Sequence, residues 1–342
     1  MTTTEAVSDI LDLPEAPALP GLVLRRFRGE SDFPKMAAAL TASEAADGIE
    51  RVVTVEGMAN TYTHLTNCDR YQDVILAEVS GEVVGYGRAL WRQEVDGPRI
   101  YGHMGFLAPA WRRKGIGRAM LGFLQRRLRD IAATHVTDRP RFLESFASDA
   151  APGAVALLRS AGYAAARHNY NMVRSLTEPM AVPPMPVGLE VRPVRPEHYR
   201  AIWEADQEAF RDHWGYAPGT ETDYQGWLND PIGFAPHLWQ VAWDTATDQV
   251  AGMVQNFVNA AENAEYHRER GYTEGISVRR PWRRRGLARA LIMRSLQMFK
   301  EMGMTEAALS VDTENPNCAL RLYESCGFRA VRRTTIYRKP LG

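Results

Sequence analysis

Cysteine is scarce in this chain: Cys68, Cys318 and Cys326 are the only three among 342 residues. Three thiols at these spacings form neither an even disulfide framework nor a metal-ligand pattern, and they suit a reducing, cytoplasmic setting. Net charge is lacking too, with 41 basic residues set against 41 acidic ones. A nucleic-acid-binding surface ordinarily shows a basic surplus, so the arginine runs need a local explanation. No apolar run reaches the ~20 residues that span a bilayer, so no membrane partner is expected. Residues 1–20 lack an apolar core flanked by basic residues, and with Pro14, Pro17 and Pro20 they read as a tail or strap rather than a targeting signal.

What the chain has is one stretch written twice. Trp111-Arg112-Arg113-Lys114-Gly115-Ile116-Gly117-Arg118 recurs as Trp282-Arg283-Arg284-Arg285-Gly286-Leu287-Ala288-Arg289, at an offset of 171 residues. In both copies a basic, glycine-bearing turn opens an amphipathic helix. Such a start aims unpaired backbone N–H groups and the positive end of the helix dipole at one spot, where a phosphate or pyrophosphate belongs. The length accommodates two copies of about 170 residues, each able to bury its own core.

Between the copies, Glu178–Pro186 packs four prolines into nine residues, a stiff extended linker. The expected division is a tail (1–20), a first domain (21–176), a linker (177–188) and a second domain (189–342). In the first, strands are expected at 22–28, 73–79, 82–91, 99–107 and 141–146, with a closing strand at 163–176. Helices are expected at 115–132 and 152–161, after a mostly helical region reaching to about residue 67. In the second, strands are expected at 189–195, 238–244, 249–258, 271–278, 307–311 and 328–339, with helices at 286–299 and 316–325. Strands alternating with helices predict an α/β (α+β) fold with a mixed sheet in each half.

Arg112-x-x-Gly115-x-Gly117 and Arg283-x-x-Gly286-x-Ala288 resemble the acetyl-CoA signature of the GNAT superfamily of N-acetyltransferases. Each sits where a strand runs into a helix, the context that gives a short motif meaning. The segment 315–328, from Asn315 through Tyr323 to Phe328, is similar to that superfamily's second signature. The tandem layout and closing strand look most like mycothiol synthase and its relatives. The resemblance implies acetyl-CoA as co-substrate, a small-molecule amine as acceptor, direct attack on the thioester and no metal. It implies that the pantetheine arm pairs with the strand Ile276-Ser277-Val278, for which Leu107 is the first-copy counterpart. The turns Arg112–Arg118 and Arg283–Arg289, with Asn315, would then hold the remaining parts of the cofactor. Arg279 and Arg280 would add to a basic rim.

Acyl transfer to an amine needs a base for the ammonium and an acid for the leaving thiolate. The resemblance assigns the acid to Tyr323, with packing against the cofactor as its alternative. The base is assigned to Glu274, which by strict alternation shares a face with Ile276 and Val278. Relatives carry the base two residues earlier, here Tyr272, and a surface salt bridge remains the other reading of Glu274. Laying the copies together puts Leu158 opposite Tyr323, Ala150 opposite Asn315 and His103 opposite Glu274. Leucine donates no proton, so catalysis is expected in the second domain, beside a first that is degenerate or only binds coenzyme A. A non-catalytic acyl-CoA sensor, and a protein or peptide acetyltransferase, are the competing readings.

Overall fold

The structure, a computed structural model, describes residues 9–342. These form two compact units: one runs to Ala165 and includes Tyr337–Gly342, the other is Ala166–Ile336. The first contains β1 (Leu22–Arg26), α1 (Phe33–Ala46), α2 (Val55–Thr63), β2 (Val74–Val79), β3 (Glu82–Gln93), β4 (Arg99–Leu107), α3 (Ile116–Ala133), β5 (Arg141–Ser148) and α4 (Pro152–Ser160). Its strands lie in the order β1-β2-β3-β4-β5. All neighbours are antiparallel except the parallel pair β4–β5. The β2–β3 hairpin turns through Ser80 and Gly81, both at positive φ (51° and 91°), the conformation that suits the twist of a two-residue hairpin. One face packs on α3 through Ile116, Leu124 and Leu128, and the other on α1 and α2 through Met36, Leu40 and Met58.

β6 (Ala164–Ser175) leads into the second unit. There follow β7 (Leu189–Val191), α5 (Tyr199–Phe210), α6 (Glu221–Leu228), β8 (Gln240–Asp244), β9 (Val250–Phe257), α7 (Ala260–Glu265), β10 (Arg270–Val278), α8 (Leu287–Glu301), β11 (Glu306–Asp312), α9 (Ala319–Ser325) and β12 (Arg329–Pro340). The order here is β6-β11-β10-β9-β8-β7, with β10–β11 parallel. Leu287, Leu291, Leu296 and Phe299 of α8 fill one face of the sheet, while Ile202 and Ala205 of α5 pack with Trp239 and Val241 on the other. Among the described residues no helix is long and apolar enough to cross a membrane.

Most strands fall where the alternation places them, and the departures have local causes. β7 stops at Val191 because Pro193 has no N–H for a ladder. α9 starts at Ala319 rather than Pro316: the Asn315 side chain accepts from Asn317 N–H at 2.8 Å, and Cys318 takes a left-handed φ of 57°. The strand read as closing the first half lies mainly in the second unit. β6 pairs antiparallel with β11 from Asn169↔Asp312 to Ser175↔Glu306, and Met172 and Leu176 join the second core. The first unit takes Tyr337–Gly342 instead, with Leu341 N–H donating to Arg141 O at 2.9 Å. Periodicity identifies a strand without naming its sheet. The segment from Ile10 is a strap: Ile10 bridges to Arg25, and Leu11, Leu13 and Leu19 pack on the first core.

Arg25 is fully buried and gives two hydrogen bonds to Asp32, at 2.8 and 2.9 Å, and one to Glu78 at 2.6 Å. Burial works to raise the Asp32 carboxyl, but the Arg25 bonds and charge and the Arg28 N–H outweigh it and hold the carboxyl below its usual range. Arg25→Met strands that carboxylate, so urea unfolding is expected to show a loss of about 3–5 kcal/mol. Because the folded pKa is depressed, the contribution is complete above the unfolded value of roughly 4 and fades as pH falls below it. The difference between wild type and variant should therefore narrow in acid.

Candidate active site

The repeated turns share one backbone conformation. Arg112 and Arg283 are extended (φ −69° and −67°), Arg113 and Arg284 are left-handed (64° and 60°), and Gly115 and Gly286 are left-handed again (90° and 83°). A left-handed arginine is uncommon, and alternation of this kind turns successive N–H groups to one side, making an anion-binding concavity at the helix start. Ile116 and Leu287 bury their side chains completely, leaving only backbone for a ligand. At Gly286 an added Cβ would meet nothing within 4 Å, whereas at Gly115 it would come within 3.2 Å of Pro17 in the strap.

The signature arginines brace these turns. Arg283 Nε donates to Val278 O at 2.9 Å, and its other nitrogens reach Asp212 at 2.5 Å and Ala209 O at 3.0 Å. Arg112 does the same with Leu107 O (3.1 Å), Asp47 (2.7 Å) and Ser43 O (2.8 Å). The basic rim is thus partly neutralised. Arg280 and Arg283 share Asp212 and push its carboxyl far down, and Arg279 bonds Glu208 at 2.8 Å. Arg285 donates to Val187 O, Arg289 to Ser325, and Lys114 sits 4.5 Å over the Trp111 ring. Exposed Arg113, Arg118 and Arg284 flank the two concavities.

Glu274 lies where two strands part. β10 pairs with β11 only from Arg270↔Glu306 to Tyr272↔Ala308. Beyond that fork the Glu274 carboxylate accepts the Ser310 N–H at 3.0 Å. On the β9 side the register slips between Glu274 and Ser277, a bulge carried by Gly275 at φ 53°. The bulge corrects the strict alternation: Ile276 and Val278 join the α8 core, while Glu274 lies beside Gln255 on the α5 face and shares it with Ser277. Burial lifts the Glu274 carboxyl to about 7 against the Ser310 bond. Tyr323 is buried, edge-on to Phe328, and its hydroxyl is pushed well above its usual value, first by burial and then by the nearby Glu274 charge. Asn315 supports the turn before α9.

The first unit has no such pair. β3 and β4 run in register from Gly85↔Leu107 to Gln93↔Arg99 without a slip. His103 Nε2 lies 2.7 Å from Tyr163 Oη, and burial pushes its imidazole down to about 4, so at neutral pH it is an uncharged structural partner. Leu158 is part of the core. Of the acids on α5 and α6 in the second unit, Glu208 is paired to Arg279, and Asp223 accepts from Thr220 at 2.7 Å in the cap of α6. Asp206 faces Ser277, its carboxyl raised to about 7 by burial. Sequence reasoning missed Asp47, Asp212 and the bulge; Gly275 beside Glu274 was the available sign, a glycine inside a strand. Among the described residues no cluster of three or more His, Cys, Asp or Glu side chains forms a metal site.

Known proteins resemble this chain in sequence and fold. The acetyltransferase (GNAT) family matches residues 46–141 and 199–328, one stretch in each half. A mycothiol acetyltransferase of Thermobispora bispora is 31% identical over 195 residues, which span 55% of this chain and 62% of that protein. The solved GCN5-related N-acetyltransferase from Sphaerobacter thermophilus superposes with a TM-score of 0.69 at 26% identity, covering 94% of this chain and 97% of its own. A tandem GNAT protein from the clavulanic acid biosynthesis pathway shares the fold, with a TM-score of 0.66 at 18% identity over 94% and 98% of the two chains. Doubled turn, parted strands and family match over both halves have one meaning: the chain is an enzyme of the GNAT acetyltransferase family.

Proposed function

We propose that the second unit transfers an acetyl group from acetyl-CoA to the primary amine of a small molecule, with Glu274 as base and Tyr323 as acid. The observation that carries this reading is the Glu274 carboxylate held at the fork between β10 and β11 by the Ser310 N–H at 3.0 Å, with Tyr323 buried on α9 as the acid. Acetyl-CoA supplies the activated acetyl thioester. The amides of residues 284–288 face the pyrophosphate at an open turn, and the backbone of Ile276–Val278, beyond the last β10–β11 pair, is the edge for the pantetheine arm. Arg283 holds both in register by tying the turn to Val278 O. A carboxyl titrating at about 7 is matched to removing a proton from an ammonium near neutral pH. A phenol raised above its usual value keeps its proton for the departing thiolate. The small-molecule acceptor accords with the mycothiol acetyltransferases among the relatives. The first unit, with Leu158 and a neutral His103, keeps the turn without the chemistry.

Two measurements test this. The rate kcat/KM, followed as thiol release, is expected to rise with pH through about 7 as Glu274 loses its proton. Glu274→Gln should abolish that rise along with roughly 10²–10⁴-fold of activity, and Tyr323→Phe should lower kcat by a similar factor with coenzyme A affinity nearly intact. An unchanged profile in Glu274→Gln removes the carboxylate from the base role.

Gly286→Glu puts a carboxylate where the pyrophosphate is expected and should eliminate calorimetric acetyl-CoA binding to the second unit, and turnover with it. Gly115→Glu should leave the chemical step intact. Loss of turnover in a Gly115→Glu protein that keeps its thermal transition would move catalysis to the first unit.

A further inference from the structure

A cavity of about 440 Å³ lies in the second unit, between α8, the end of α9 and the proline-rich linker. Arg174 of β6 and Met293 of α8 line it, with Cys326 and Gly327 just past α9 and Met180 and Val182 from the linker. Arg289 reaches it from the first turn of α8. Its floor belongs to the end of the sheet away from the anion-binding turn. Arg174 stands opposite Ala307, and Ala307 opposite Gly271, near the start of β10. The turn follows Val278 at the other end of that strand, roughly 23 Å further along.

The cavity wall carries a charge that the protein does not answer. Arg174 is only 6% exposed, yet among the described residues it bonds through Nη1 alone, to Cys326 O and, at 3.7 Å, to Met293 Sδ. Its Nε has no partner. Arg289 gives its bonds to Ser325, at 2.5 Å to Oγ and 3.3 Å to O. Neither guanidinium meets a carboxylate, whereas Arg25, equally buried in the first unit, is met by Asp32 and Glu78. Gly327, at φ 88°, lets the Arg174 guanidinium lie against its backbone, where a Cβ would come within 3.2 Å. Burial raises the Cys326 thiol while the charges of Arg289 and Arg174 oppose it, so the two cations converge there.

A cation taken out of water without a counter-charge is costly, and an anion brought to it recovers that cost. A guanidinium fork fits a carboxylate or a phosphate. The remaining walls decide between them: Met180, Val182 and Met293 offer no hydrogen-bond donor and suit a hydrocarbon body, in a volume within the range of small-molecule sites. We propose that this cavity binds a small organic acid, its carboxylate on Arg174 and Arg289 and its hydrocarbon body against Met180, Val182 and Met293. The site is independent of the acetyl-transfer reading and uses neither Glu274 nor Tyr323.

Hexanoate is the probe, with hexanamide and inorganic phosphate as controls, titrated calorimetrically into the full chain with and without saturating coenzyme A. Hexanoate is expected to bind at one site, at least about tenfold more tightly than either control, whether or not coenzyme A is present. Arg174→Met should weaken it about ten- to a hundredfold, the scale of a charge-assisted hydrogen bond. Val182→Glu brings a carboxylate to the wall from the exposed linker and should weaken hexanoate in the same direction, in a protein with a wild-type thermal transition. Should Arg174→Met fail to fold, Val182→Glu decides alone. Hexanamide or phosphate matching hexanoate, displacement of hexanoate by coenzyme A, or unaltered binding in the folded variants overturns the proposal. So does the absence of hexanoate binding to the wild-type chain.

Discussion

The second unit depends on the end of one strand pairing. Backbone donors and acceptors need partners wherever water is excluded, so two parallel strands cannot simply stop bonding partway along a buried sheet. β10 and β11 stop at Tyr272↔Ala308, and each side of the fork meets the requirement differently. On the β11 side, the Glu274 carboxylate takes the Ser310 N–H. On the β10 side, the segment to Val278 stays tied to β9 alone, offering an unfilled edge of the kind an amide-bearing chain can join. The bulge at Gly275 follows from the same demand: an extra residue lets Glu274 face α5 and the fork while Ile276 and Val278 return to the α8 core.

The turn that follows is stiff for a related reason. Left-handed arginines at 113 and 284 store backbone strain that persists only where the surroundings fix it. A guanidinium spanning a strand carbonyl, a helix carbonyl and an aspartate fixes it in both units. A concavity of amides is useful only when preorganised, and the arginine supplies that order from behind the loop, through its protein contacts.

Much of this was legible in the sequence. The doubled turn, the strand before it and the helix after it all depend on local pattern, and the fold follows these patterns closely. What escaped was non-local or exceptional. Alternation put Glu274 with Ile276 and Val278, because period two holds only until a residue is inserted, and Gly275 inserts one. The bracing role of Arg112 and Arg283 could not be read because their acids, Asp47 and Asp212, lie 65 and 71 residues away. α5 was not read from the sequence, although its buried Ile202, Ala205 and Ala209 recur at helical spacing.

The allocation of strands fixes the order in which the molecule can be completed. Tyr337–Gly342 belongs to the first unit, so that unit waits for residues made after the whole of Ala166–Ile336 has been synthesised. Domains of a growing chain ordinarily fold from the N-terminus forward as each becomes available. Here the earlier unit must stand with Arg141–Ser148 lacking its late neighbour while roughly half the protein is translated, an unpaired edge of the kind that invites association with other chains. In the folded molecule that edge is held by charge: Arg338 binds Glu144 and Glu94, and Lys339 binds Ala161 O.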